Sequence, residues 1–293
     1  MLVLKDRSLK INRLSVLNFI LFFFLCITIS AAIPIDGNDN EHPLPSLANT
    51  KLIPITVSSI IEKTIFHPVD TLVLLKQRLN KNYSEILKEN NLRILYRGMF
   101  YQTISAIPLN AVGYGSYFYV QKLLKSENKY TETEKKLLGG IVSGTLLGVC
   151  ACPFEAARAR AIFLPDIPKP QSFFRYYYRG ISVSIASTMA FSFCVPLGSD
   201  LIHQKLSITS PYSYKSFMVG LFTGALSQII INPLSVLKVS LMTDYKHKGL
   251  KYHIKKVFST SNPFRGALIR SVRHGFGIGL VTYLIPIFEE LIS

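Results

Sequence analysis

Apolar residues collect in six long runs, at about 52–75, 99–121, 137–157, 181–202, 216–237 and 267–288. Each is near the roughly 20 residues that a helix needs to cross the hydrocarbon core of a bilayer. The pattern predicts six membrane-spanning helices joined by polar connections. Gly140, Gly144 and Gly148 in the third run, and Gly220 and Gly224 in the fifth, recur every four residues. That spacing places them on one helix face and permits close backbone approach to a neighbour. The first run has Val57, Ser58 and Ser59 instead. Connections 79–95 and 245–262 have room for short surface helices, at Tyr83–Glu89 and Leu250–Ser259. Pro165, Pro168 and Pro170 argue against one in the connection between the third and fourth runs.

Two short markers punctuate these runs. The odd-numbered runs reach Pro68-Val-Asp70-Thr-Leu-Val73, Pro153-Phe-Glu155-Ala-Ala-Arg158 and Pro233-Leu-Ser235-Val-Leu-Lys238, with the prolines 85 and 80 residues apart. An aromatic-Arg-Gly triplet precedes each even-numbered run, at Tyr96-Arg97-Gly98, Tyr178-Arg179-Gly180 and Phe264-Arg265-Gly266. Two markers recurring three times in the same order indicate a triplicated two-helix unit. We divide the chain accordingly into residues 51–125, 133–206 and 214–292, preceded by a hydrophobic segment at 1–33 and a polar linker at 34–50.

Composition changes the picture in one respect, the meaning of the charge. The 293 residues are 49% hydrophobic and 17% charged, too apolar for an ordinary soluble domain, yet the net charge is +16. Segments 76–97, 158–179 and 238–265 hold 18 Lys and Arg, against 7 in 121–136 and 203–216. This asymmetry follows the positive-inside rule of membrane insertion, and no zinc-finger spacing or stacked aromatic-basic surface points to nucleic acid. The histidines are scattered without ligand spacing, and no catalytic triad or phosphate loop is present. An enzyme, a cofactor and a metal site are therefore not expected. Cys26, Cys150, Cys152 and Cys194 fall in apolar runs without disulfide or metal spacing and are read as reduced thiols.

The triplicated Pro-x-acid-x-x-base pattern resembles that of the mitochondrial carrier family, over roughly residues 50–292. The resemblance implies an all-α membrane protein: six transmembrane helices in three pseudo-symmetric two-helix repeats around a central cavity, opened alternately to either side. Proline kinks a helix, and an acid and a base three residues apart share a face, so the odd helices would converge and offer charges to one another. Pro68, Pro153 and Pro233 are the expected kinks. In the family, the acid of each odd helix pairs with the base of the next. By position, Asp70 would pair with Arg158 and Glu155 with Lys238, while Ser235 and Val73 leave the third pair without charge. Loss of both partners strands no buried charge, which favours a two-bridge gate over decay. Gln77 matches the family's brace residue, where the other repeats have Ile162 and Met242. The opposite gate reads poorly: its acid positions are Phe118, Asp200 and Pro286, its base positions Gln121, His203 and Glu289.

The family's solute contacts fall midway along the even helices, here at Ser105 and Ala106, Ser187 and Thr188, and Arg273 and His274. An arginine at membrane depth is a functional candidate, able to grip a phosphate or carboxylate as a fork. Lys63 resembles a substrate-binding lysine of ADP/ATP carriers, and its neighbour Glu62 either couples a proton or neutralises an adjacent helix. The expected cargo is a small anionic or nucleotide-like metabolite, and small residues around Ser105 resemble those of S-adenosylmethionine carriers. The resemblance further implies a monomer in the lipid bilayer, with cardiolipin at the Arg-Gly helix starts. The competing class is a carrier-derived adaptor that binds proteins and no longer transports.

Residues 1–33 read differently. Lys5, Arg7, Lys10 and Arg13 precede the apolar run Leu14–Ala32, which ends Ser30-Ala31-Ala32, as in a secretory signal peptide. A cleaved signal to a plastid or endomembrane, a seventh helix and an incorrectly assigned start all fit. The resemblance implies an organellar membrane, the mitochondrial inner membrane first, with a plastid or endomembrane as the alternative.

Overall fold

The computed structural model describes residues 44–125, 130–163, 177–206, 214–244, 249–260 and 262–292, and every regular element among them is helical. The readings made for residues 1–33 and for the connection at 164–176 lie outside the described residues.

Helix α1 spans Leu44–Leu79 and runs through Pro54 and Pro68. A short surface helix, α2, follows at Tyr83–Glu89, where the sequence places one; Asn82 and Glu85 form a capping box at its start. The second apolar run is broken into α3 (Met99–Ile104) and α4 (Ala106–Lys125). Pro108 explains the break: it has no N–H to donate and its ring crowds the carbonyl of Ile104 one turn earlier. Helices α5 (Glu132–Phe163), α6 (Ile181–Leu206) and α7 (Tyr214–Met242) are each continuous. Pro153 and Pro233 lie inside α5 and α7 without ending them. A short helix, α8, covers Leu250–Lys255 and passes into a π-helical turn at Lys256–Thr260; α9 spans Ala267–Ile292.

The long helices close a ring. Each packs on its neighbour in chain order, from α1 through α3 and α4 to α5, α6, α7 and α9, and α9 returns to α1. Two seams are glycine-lined. A Cβ on Gly144 would stand 2.5 Å from the Met189 Cα, and one on Gly220 would stand 2.9 Å from the Gly279 Cα. Both distances are shorter than real Cβ contacts, so backbone meets backbone there because no side chain intervenes.

Among the described residues, four helices are long and apolar enough to cross a membrane: α5, α6 over Ile181–Ser199, α7, and α9 over Ala267–Phe288. Helix α1 is not among them, since Glu62, Lys63 and Asp70 dilute its apolar stretch, nor is the broken α3–α4 pair. The outer surface is apolar in stripes. Phe222, Leu226 and Ile230 are 50%, 58% and 66% exposed along α7, and Leu268, Val272 and Phe276 form a matching row on α9. Four-residue spacing puts each set on one face, and charged residues lie inside instead, the distribution expected where lipid is the solvent.

The aromatic-Arg-Gly markers share one conformation. Gly98, Gly180 and Gly266 have φ of 78°, 85° and 77°, and they are the positive-φ glycines among the described residues. A side chain at this backbone angle is strained, so glycine suits the turn that leads into α3, α6 and α9. Each also rests on a different motif-bearing helix: Gly98 on Arg158 of α5, Gly180 on Leu241 of α7, and Gly266 on Gln77 and Val73 of α1.

Candidate functional site

The ring encloses a cavity of about 500 Å³, within the range of roughly 300–1,000 Å³ usual for small-molecule sites. Its wall takes residues from all the long helices, among them Lys63, Ser105, Arg158, Phe191, Lys238 and Arg273. Charge concentrates at the level of the proline motifs, and two separate links organise it.

One link joins α5 to α7. Lys238 Nζ lies 2.7 Å from Glu155 Oε1, the partnership expected from the motif. Ser184 of α6 donates its hydroxyl to Glu155 Oε2 at 3.2 Å. The Glu155 side chain keeps 36% of its surface exposed, so this pair is partly solvated.

The other link corrects the motif reading. Asp70 was expected to meet Arg158, but its Oδ2 accepts from Arg273 Nη2 at 2.6 Å and from Gln102 Nε2 at 2.6 Å. The Arg273 Nη1 lies 2.6 Å from Glu62 Oε1, and its guanidinium stands over the Phe66 ring at 5.5 Å. One buried arginine of α9 is therefore clamped by two carboxylates of α1, eight residues apart on the same helix. The physical reason is charge balance: two acids buried in α1 need a cation, and Arg273 reaches both from the adjoining helix. Of the two readings for Glu62, this geometry is that of neutralising a neighbouring helix. Arg158 lines the cavity without a hydrogen bond or ion pair among the described residues, and its Nε and Nη2 are buried without partners.

The other candidates divide. Lys63 Nζ is 3.4 Å from Ser105 Oγ, and both line the cavity. His274 also lines it, with its ring 6.4 Å from that of Phe191. Ser187 and Thr188 are not in the cavity wall. Ser187 donates to Ser184 O within α6, while the Thr188 hydroxyl donates to Gly144 O at 2.7 Å across the glycine seam. Thr188 packs on the glycine stripe of α5, and Phe191, one turn on, lines the cavity. Gln77 is fully buried and joins three helices: its Nε2 donates to Asn232 Oδ1 at 3.3 Å, and its Oε1 accepts from Arg270 Nη1 at 3.4 Å. At the opposite end, Gln121 Nε2 donates to Lys135 O at 2.8 Å and Phe118 is exposed. Pro286 lies inside α9, and the side chains of Asp200, His203 and Glu289 are outside the described set. Cys150, Cys152 and Cys194 are free thiols.

Sequence reasoning missed Gln102 and Ser184, both of which reach a motif acid. A signal for them exists. Each stands four residues after its marker glycine, and Arg270, at the same offset from Gly266, reaches Gln77 and Gln228. A further cluster escaped notice just beyond α7. Asp244 accepts from Arg179 Nη2 at 2.9 Å, tying the second aromatic-Arg-Gly marker to the end of α7. Buried His253 of α8 bridges Asp244 Oδ2 at 3.1 Å and Ser240 Oγ at 2.9 Å. A neutral imidazole satisfies both contacts, with Nε2–H donating to Asp244 and Nδ1 accepting from the hydroxyl. Burial pushes the His253 ring below its ordinary pKa, and Asp244 offsets part of that.

Comparison with known proteins extends this geometry. A family model described as mitochondrial carrier protein matches residues 209–283. Mitochondrial substrate carrier family protein C of Dictyostelium discoideum is 22% identical over 285 residues, covering 87% of this chain and 57% of that protein. Mitochondrial GTP/GDP carrier protein 1 of Saccharomyces cerevisiae is 22% identical over 291 residues, covering 83% of this chain and 96% of its own. S-adenosylmethionine carrier 1, chloroplastic/mitochondrial, of Arabidopsis thaliana is 23% identical over 197 residues, covering 63% and 59%. The chain thus spans less than two thirds of the length of some of these curated relatives.

Proposed function

We propose that this chain is a divergent member of the mitochondrial carrier family, which the family-model match and the carrier relatives support, and that it moves a small anionic or nucleotide-like metabolite across an organellar membrane by alternating access. The observation that carries the reading is the cavity itself: about 500 Å³, lined in part by charged side chains of several helices, within a ring of helices whose outer face is apolar. Charged side chains gathered around a cavity are costly to maintain at membrane depth and mark a solute path.

In this reading six helices span the bilayer, with α1 and the α3–α4 pair completing the four that are apolar enough by themselves. Three two-helix repeats surround the cavity with threefold pseudo-symmetry, supported by the matching conformations of Gly98, Gly180 and Gly266. Lys63, Ser105, His274 and Arg273 contribute to the solute-facing wall. The Glu155–Lys238 bridge and the Asp70 cluster hold the motif side shut and part when the cavity opens there. The protein acts as a monomer in the mitochondrial inner membrane, with cardiolipin at the Arg-Gly helix starts; a plastid or endomembrane is the alternative location. Relatives named for guanine nucleotides and for S-adenosylmethionine bracket the cargo, since both molecules carry a purine nucleoside.

The test is thermal stability of the purified chain in detergent against nucleotides, S-adenosylmethionine, amino acids, carboxylates and phosphate. A ligand that binds only the folded state stabilises it by about 2.7 kcal/mol at a hundredfold excess over its dissociation constant. Stabilisation by one class identifies the cargo. A well-folded protein that responds to none contradicts the reading.

A further inference from the structure

The charged residues of the cavity wall are unequally partnered. Lys238 has Glu155, Arg273 has Glu62 and Asp70, and Arg270 donates its Nε to Gln228 at 2.9 Å and its Nη1 to Gln77. Lys63 has only a long contact to the neutral Ser105 hydroxyl. Arg158 forms no ion pair and no hydrogen bond among the described residues, although Asp70 and Glu155 stand near enough to attract its charge, and its Nε and Nη2 are buried without partners. An unpaired guanidinium in a membrane interior is expensive, and five fixed donors in a planar fork make it a strong receptor for a carboxylate or phosphoryl group.

The boundary between the third and first repeats shows the reciprocal feature. The motif positions that would bridge it, Ser235 and Val73, are uncharged and almost fully buried. Arg273 supplies the missing tie from one helix over, joining α9 to Glu62 and Asp70 of α1.

We propose that the two arginines have exchanged the roles their positions suggest: Arg273 is the strut that closes the boundary between α9 and α1, and Arg158, with Lys63 across the cavity, receives the oxyanion of the solute. This rests on the anionic-solute reading and assigns its binding group. The exchange follows from competition for Asp70. Once Arg273 takes that carboxylate, Arg158 is left to line the cavity, and an incoming oxyanion supplies the direct partner that the guanidinium lacks. The bound group is a carboxylate or a phosphoryl, and the probes separate these sources.

The test uses the full chain in detergent, with citrate, inorganic phosphate and GTP as probes and thermal stability as readout. In Arg158→Gln, the unliganded melting temperature holds or rises, because an unpaired buried charge has gone, and the probe concentration for half-maximal stabilisation rises at least tenfold. Arg158→Lys recovers part of that loss. In Arg273→Gln, the unliganded melting temperature falls, because two buried acids lose their cation. Arginine modification of the wild-type chain by phenylglyoxal is an independent check: Arg158 reacts before Arg273, and the oxyanion that stabilises the protein protects Arg158. Wild-type probe affinity in Arg158→Gln, or faster modification of Arg273, overturns the exchange while leaving the anionic-solute reading intact. If the wild-type chain answers neither these probes nor S-adenosylmethionine but answers a solute with no carboxylate or phosphoryl group, the reading and the exchange fall together.

Discussion

The two acid-centred links at the cavity floor look alike in sequence and differ in construction. Glu155 and Lys238 form a two-body bridge between α5 and α7, partly open to solvent, with a serine hydroxyl as auxiliary donor. Asp70 stands in a buried cluster with Glu62, Arg273 and Gln102, where each carboxylate contacts a guanidinium nitrogen at 2.6 Å. A solvated pair is worth little and parts easily, whereas a buried cluster is held by the cost of leaving any member unpaired. The same motif can therefore give a latch at one boundary and a permanent tie at another, depending on what the adjacent helix contributes.

The comparison breaks most sharply at Arg273. Arg273→Gln should cost about 3–5 kcal/mol, because Glu62 and Asp70 remain buried without their cation; thermal unfolding in detergent measures it. If the loss matches that of Lys238→Gln, the clamp and the latch are energetically the same. Gln102→Leu removes one charge-assisted hydrogen bond from Asp70 and should cost about 1.5–3 kcal/mol by the same assay. At the other link, Lys238→Gln should cost about 1 kcal/mol or less, since water reaches Glu155. The reversed pair Glu155→Lys with Lys238→Glu should recover stability that each reversal alone loses, and absence of recovery would deny the pairing.

The smallest effect lies outside both links, at His253. Its folded pKa is held below the ordinary value of about 6.5 by burial, so the unfolded chain binds more protons between the two values. Stability from this group is fully present above the ordinary value and is lost as pH falls towards the depressed one. Melting temperature should drop on acidification from neutral pH towards 5, and the drop should shrink in His253→Gln. An unchanged pH profile in that variant would show that His253 binds protons equally in the folded and unfolded chain, contradicting the depressed value.

Much of the fold was legible because its signals are periodic. Glycines four residues apart announced the seams at Gly144 and Gly220, and the recurring markers announced a repeat, although the turn shared by their glycines was not read from them. Helix α2 was visible in one short connection. The interruption at Ser105 was missed because the apolar pattern runs on across it, although Pro108 carries the cause. The Glu155–Lys238 contact was readable from motif spacing, since both partners lie on helices that the motif itself brings together. The Asp70 partner was not. Spacing along one helix cannot show that Arg273, 203 residues away in sequence, will outcompete Arg158 for the same carboxylate. Thr188 was misplaced for a related reason: position along a helix gives depth, whereas which face it turns inward is decided by the neighbour, here the glycine stripe of α5.

The most direct measurement of the central claim is uptake by liposomes that contain the purified chain. The solute class that stabilises the protein in detergent would be supplied in labelled form outside vesicles preloaded with the unlabelled compound. Saturable accumulation in the lumen is expected, above that of protein-free vesicles and reduced by Arg158→Gln. A solute that binds the folded protein yet never enters the vesicles would contradict transport.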